Sequence, residues 1–240
     1  MKYINKLTYF TIILLFSILI IKYIVFINPF KITDIIVQGN NYISSNTILE
    51  LIDKEIDNKN ILNIDFNAIT NELHKNSFVY RTKIYTKIPS SIVIDISEVE
   101  PLGLMENNDS IFFLSQDLKL INADYKSINH FSNTPVITNL SNNKTNLVKT
   151  RKILKKIMLT NNNIYDKLNE IRFKDREIIL ILDNYTKIIL GNRNYENSIN
   201  KFLQFNNQVI IGKNISIENY EYINVSIPNQ IVINQNKLKI

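Results

Sequence analysis

The longest apolar stretch comes first. From Leu7 to Ile27 the chain carries a single charge, Lys22, and no polar stripe recurs along it. At 1.5 Å of rise per residue, residues 7–27 predict a helix of roughly 31 Å, the thickness of a hydrocarbon core. Beyond residue 28 the pattern changes. Residues 31–38 hold Ile32, Ile35, Ile36 and Val37 and are stopped by Gly39-Asn40-Asn41, so they predict a strand ending in a turn. Ile48, Leu49, Ile52 and Ile56 then recur at helical spacing behind Ser44 and Ser45, either of which can cap the helix. Asp65 caps a second predicted helix, lined by Phe66, Ile69 and Leu73. Residues 79–88 and 92–99 alternate with period two around Pro89-Ser90-Ser91, which predicts a hairpin. The first block, 30–105, thus reads strand, helix, helix, strand, strand.

The second block, 106–233, is richer in strand. Short apolar runs at 111–114, 118–121 and 135–138 precede a basic amphipathic helix over 147–159. Strands follow at 168–173, 177–183 and 186–190, the last two joined at Asn184-Tyr185. A further helix is predicted over 195–206, and strands near 209–211, 220–227 and 230–233 complete the block. Residues 234–240 form a tail. The fold class is therefore α+β, with an N-terminal apolar helix, a βααββ block and a β-rich block with two or more helices.

Charge turns the first helix into a topology. Lys2, Lys6 and the terminal amine precede the apolar run, and the first acidic residue is Asp34. The excess of basic residues predicts that residues 1–6 stay in the cytoplasm, that 7–27 span the membrane, and that the bulk lies outside. Lys22 sits close enough to the outer end for its stem to reach the headgroups. A cleaved secretory signal would end in small residues. This run ends Lys22-Tyr23-Ile24-Val25-Phe26-Ile27, and the first alanine is Ala68, so an uncleaved anchor is expected.

Composition narrows the function. There is no cysteine, so the outer blocks must be held by their cores rather than by disulfides. Lys and Arg number 28 against 22 Asp and Glu. Setting aside Lys2, Lys6 and Lys22 leaves only a mild basic excess, which argues against a nucleic-acid partner. His74 and His130 stand alone, without the spacing of a metal motif, and His74 reads as a polar-face residue of the second helix. Four glycines leave no phosphate-cradling loop. Glu98 and Glu100 share a strand face but read as a solvated pair at a strand end. The basic run from Lys149 to Lys156 reads as a solvated helix face. No enzyme, cofactor, metal or small-molecule substrate is expected.

The order of these features resembles the FtsQ/DivIB family of bacterial cell-division proteins. Ile35-Ile36-Val37-Gln38-Gly39-Asn40 is similar to the start of that family's POTRA domain. Ile61-Leu62-Asn63-Ile64-Asp65 is similar to the link into its second helix, and Glu98-Val99-Glu100-Pro101 to its acidic strand end before proline. Arg176 followed by Leu180-Ile181-Leu182-Asp183 and Ile188-Ile189-Leu190-Gly191 resembles the family's β domain, as does Tyr222-Ile223-Asn224-Val225-Ser226-Ile227-Pro228-Asn229-Gln230. Asn224 and Ser226 depart from it, standing where the family usually has an aspartate and an arginine.

The resemblance implies a non-catalytic scaffold of the divisome, in the inner membrane at the septum, bound to small bitopic partners of the FtsB/FtsL type. A strand at a sheet edge offers unpaired N–H and C=O groups to which a partner strand can add. On that reading the partner-binding residues are Tyr222, Ile223, Asn224, Val225, Ser226, Ile227, Gln230, Ile231, Val232 and Ile233, with Arg176 as a charged donor nearby. The competing class is a POTRA-containing factor of secretion or outer-membrane assembly. Such proteins usually repeat the POTRA unit or end in a barrel, and no second copy of the 30–105 pattern is present.

Overall fold

A computed structural model describes residues 6–57, 59–107, 110–140 and 144–235. The predicted inner tail 1–6, apart from Lys6, lies outside the described residues, as does the part of the tail beyond 235. The chain forms two compact units, Met1–Glu98 and Val99–Ile240.

The first element is α1 (Lys6–Ile27). Its aliphatic and aromatic side chains are exposed around the whole circumference, from Tyr9 to Phe26, a surface that suits lipid rather than water. Among the described residues it is the one helix long and apolar enough to cross a membrane.

The rest of this unit is β1 (Asp34–Gln38), α2 (Ser45–Ile56), α3 (Phe66–Leu73), β2 (Val79–Lys87) and β3 (Ser91–Glu98). The strands form a sheet of order β1-β3-β2, with β1 parallel and β2 antiparallel to β3. Both predicted caps form. The Ser44 side chain accepts from Thr47 N, and Asp65 accepts from Asn67 N and Ala68 N. Ile92, Ile94 and Ile96 alternate and so share one sheet face; they are buried together with Ile48, Ile52, Ile69 and Leu73. The Gly-Asn stop after β1 has a steric cause. Gly39 sits at φ +79°, and a Cβ there would lie 2.2 Å from the Ile96 carbonyl oxygen. Glu98 is not merely solvated: its carboxylate accepts from Tyr42 N and Ile43 N, both at 2.8 Å, tying the end of β3 to the entry of α2.

The second unit begins earlier than residue 106. Gly103–Asn107 is a strand, β4, that pairs with β5 (Ser110–Leu114) and belongs to the second sheet. Then come β6 (Leu120–Asn122), α4 (Tyr125–His130), β7 (Val136–Thr138), α5 (Lys144–Thr160), α6 (Asn162–Asp166), β8 (Leu168–Lys174), β9 (Glu177–Leu182), β10 (Lys187–Gly191), α7 (Tyr195–Phe205), β11 (Tyr220–Asn224) and β12 (Val232–Gln235). The nine strands form one sheet of order β12-β11-β10-β9-β8-β7-β4-β5-β6. Its core joins Ile171, Leu180, Leu182, Ile188, Leu190 and Ile223 of the sheet to Ile153, Leu154 and Ile157 of α5 and to Ile199, Phe202 and Leu203 of α7.

Three differences from the predicted elements have local causes. The strand expected at 209–211 is instead a π-helical continuation of α7, Asn206–Ile211, which buries Asn206 and Ile210; so short an apolar run carries no period of its own. Helix α4 was not foreseen, because its signal is the capping box between Asp124 and Ser127 rather than an apolar stripe. The strand predicted over 220–227 ends at Asn224, whose Oδ1 accepts from Ser226 N at 2.9 Å and Ser226 Oγ at 2.7 Å and bends the chain out of the ladder. The strand expected at 230–233 correspondingly begins later, at Val232.

Candidate partner-binding edge

The end of the large sheet is built outward from β9 and β10. The β9–β10 hairpin pairs Ile181 with Lys187 and Glu177 with Gly191. The chain then crosses over through α7 and returns as β11, parallel to β10, with Ile188 opposite Ile223. Thr186 Oγ1 donates to the Tyr220 carbonyl at 2.7 Å and fixes where β11 starts. Val225 N donates to the Ile189 carbonyl at 3.0 Å, one residue past the strand. A turn then reverses the chain into β12, antiparallel to β11, with Ile223 opposite Ile233 and Asn224 opposite Val232. Asn234 Nδ2 donates to Glu221 Oε2 at 2.7 Å across the two strands.

The residues singled out from the sequence therefore separate into three settings. Tyr222, Ile223 and Asn224 lie on β11, which has a strand on each side, so its backbone is already paired. Ile223 and Val225 are fully buried and serve the core. Val225, Ser226, Ile227, Gln230 and Ile231 lie in the connection, with Ile231 packed against the core cluster. Val232 and Ile233 lie on β12, the terminal strand of the sheet, where all four residues are exposed and none is charged. Among the described residues the open ladder is thus the outer side of β12 rather than that of β11.

Arg176 is elsewhere in the same unit, exposed in the turn between β8 and β9. Its carbonyl accepts from Asn192 N at 2.9 Å. With Lys149, Arg193, Asn192 and Ser226 it lines a cleft of about 730 Å³. Arg176 and Ser226 are thereby brought together, in a cleft of mixed charge that Asp175 and Glu177 also line. Lys149 Nζ donates to Asn192 Oδ1 at 2.5 Å and lies 5.8 Å from the centroid of the Tyr195 ring. Lys152 pairs with Glu196 at 2.7 Å, and that bond holds the Glu196 carboxyl below its usual range. The basic face of α5 is therefore partly engaged by α7.

One residue escaped the sequence reading. Lys201 on α7 donates to the carbonyls of Val225 at 2.9 Å, Ile227 at 2.5 Å and Gln230 at 3.2 Å. No motif could have signalled it, because its acceptors are main-chain atoms 24 to 29 positions further along.

An apolar helix long enough to cross a membrane, a strand-helix-helix-strand-strand unit and a long mixed sheet define a chain of the POTRA-containing class. Residues 30–98 match the model of the POTRA domain, FtsQ-type. The chain is 21% identical over 101 residues to the cell division protein FtsQ of Rickettsia prowazekii, an alignment covering 42% of this chain and 38% of that protein. It is 24% identical over 88 residues to FtsQ of Rickettsia bellii, covering 37% and 33%. The chain thus spans well under half the length of the curated relatives it matches. The major extracytoplasmic domain of the cell division protein DivIB from Geobacillus stearothermophilus aligns with a TM-score of 0.32 at 11% identity, over 50% of this chain and 99% of that one. The chain therefore carries an FtsQ-type POTRA domain over residues 30–98 and is similar to FtsQ cell-division proteins over less than half of its length.

Proposed function

We propose that this protein is a non-catalytic scaffold of the divisome that captures FtsB/FtsL-type partners by strand addition to the outer side of β12. The observation that carries the reading is the character of that strand. It ends the sheet, is exposed along its whole length and bears no charge that would repel an incoming strand. Main-chain pairing supplies affinity, and the alternating side chains of Val232, Ile233, Asn234 and Gln235 supply selectivity. Arg176, exposed at the mouth of that cleft, offers a charge-assisted bond to an acidic group of the same partner. The anchor would hold residues 1–6 in the cytoplasm and the two folded units outside, at the septum. Confinement to one membrane raises the effective concentration of bitopic partners.

The test is co-purification of the full chain, in detergent, with the FtsB and FtsL counterparts from the same genome. A variant stopped after Gln230 keeps β11 and loses β12 together with the core-packed Ile231 and the residues beyond 235. Loss of the partners with the shortened chain, against retention by the intact one, is the expected result. Equal retention would move the site away from β12.

A further inference from the structure

The connection between β11 and β12 is held in a manner that its sequence does not explain. Residues 225–230 include exposed Pro228 and Asn229, the latter at φ +58°, and such a segment would ordinarily be loose. Here three of its carbonyls converge on one ammonium group. Lysine has three N–H donors and no acceptor, and Lys201 meets three carbonyl oxygens, those of Val225, Ile227 and Gln230. All three acceptors are neutral main-chain atoms. The group is therefore used as a bound cation would be, to gather carbonyls that would otherwise point apart. On the other side of the turn, Asn224 Oδ1 takes the N–H and hydroxyl of Ser226, and Val225 N is fixed to Ile189. Residues 224–230 are thus pinned to α7, to β10 and to themselves, and Val232, where β12 begins, lies two residues beyond the last pinned carbonyl.

We infer that Lys201 is the positioning residue of the β12 edge. Its ammonium fixes the turn so that β12 is presented as a formed strand rather than a fraying end, and a partner strand need not order it on arrival. This rests on the strand-addition reading above. Pre-ordering of a receiving strand favours binding by removing an entropic cost from association.

The experiment uses the full chain in detergent with two substitutions. Lys201→Met keeps the stem and removes the charge; Lys201→Arg keeps the charge but spreads its donors over a planar fork. Amide hydrogen exchange and co-purification of the FtsB/FtsL counterparts are both read. In Lys201→Met, exchange over residues 225–235 is expected to rise about tenfold or more while β8–β10 stay unchanged. Partner retention falls with it, and Lys201→Arg recovers part of both. Unchanged exchange over 225–235 would overturn the clamp, and faster exchange across β8–β10 would show a general core role instead. Raised exchange with undiminished retention would overturn the positioning role. Undiminished retention after the stop at Gln230 would instead remove the edge reading, and the binding role of Lys201 with it, whatever the exchange data show.

Discussion

Among the described residues each of the two sheets ends in a strand with an open side, and the two ends are made of different chemistry. β2, at one end of the first sheet, is nine residues long and carries Arg81, Lys83 and Lys87. The first two lie near the rings of Tyr80 and Tyr85, at 5.7 and 5.8 Å from their centroids. β12, at the end of the second sheet, is four residues long, Val-Ile-Asn-Gln, with no charge. Lysine and arginine on an edge strand resist unwanted pairing, because an added strand would have to desolvate or bypass them. A short neutral edge has no such guard. The contrast teaches that exposure alone does not mark a docking edge: both strands are exposed, but one is defended.

The largest effect expected from testing that contrast lies next to the edge rather than on it. Ile223→Ala on β11 removes a fully buried side chain and should cost about 2–5 kcal/mol of unfolding free energy, read by urea denaturation. Ile233→Ala, opposite it on β12 and 42% exposed, should cost no more than about 1 kcal/mol. Equal costs would mean that β12 is a core strand and no open edge.

Next in size is a transplanted guard. Ile233→Lys puts on β12 the charge that β2 already has, and retention of the FtsB/FtsL counterparts should fall about tenfold or more with the unfolding midpoint nearly unchanged. Unaffected retention would break the comparison. The converse change, replacing Arg81, Lys83 and Lys87 together by threonine, should make the chain self-associate at lower concentration, as light scattering would show. A variant that stays monodisperse would mean that sequence around β2, rather than its cations, keeps that edge unpaired.

The smallest effect is a dependence on pH confined to the second sheet. Burial pushes the Glu170 carboxyl upward, but hydrogen bonds from Arg172 and Thr138 outweigh it, so the net shift is downward. A carboxyl lowered in the folded state stabilises the fold above its unfolded value of about 4.3, and that contribution is lost as the pH falls through the folded value. Glu170→Gln should therefore lose less stability between pH 7 and pH 3 than the parent chain does. An identical loss in both would assign the acid sensitivity to other groups.

Much of the fold was legible because it is written in periodic positions. Ile48, Ile52, Ile69 and Leu73 at helical spacing, and Ile92, Ile94 and Ile96 at spacing two, are the residues that the first unit buries. The caps at Ser44 and Asp65 were legible for the same reason, since a cap acts on its immediate neighbours. Apart from α4, the π-helical segment and the bend at Asn224, whose causes are local, what escaped depends on partners distant in sequence. β4 looks like the end of the first block until β5 and β7 are there to pair with it. The part of the sheet end that has an open side, β12 and not β11, is decided by strand order, which no local pattern carries. Lys201 looks like any helix-surface lysine until residues 225–230 return to it.

The crossover from β10 through α7 to β11 also sets an order in time. β12 is the last of the described strands to leave the ribosome, and it has nothing to pair with until β11 has come back beside β10. That return needs the whole of residues 192–219, with α7 docked, so the β12 edge is completed only when nearly all of the second unit has folded. On the proposed strand-addition reading, a chain stalled or cleaved short of this point could carry a finished first unit and still offer nothing for a partner strand to join. Recruitment at this edge would thereby report on the completeness of the molecule that recruits.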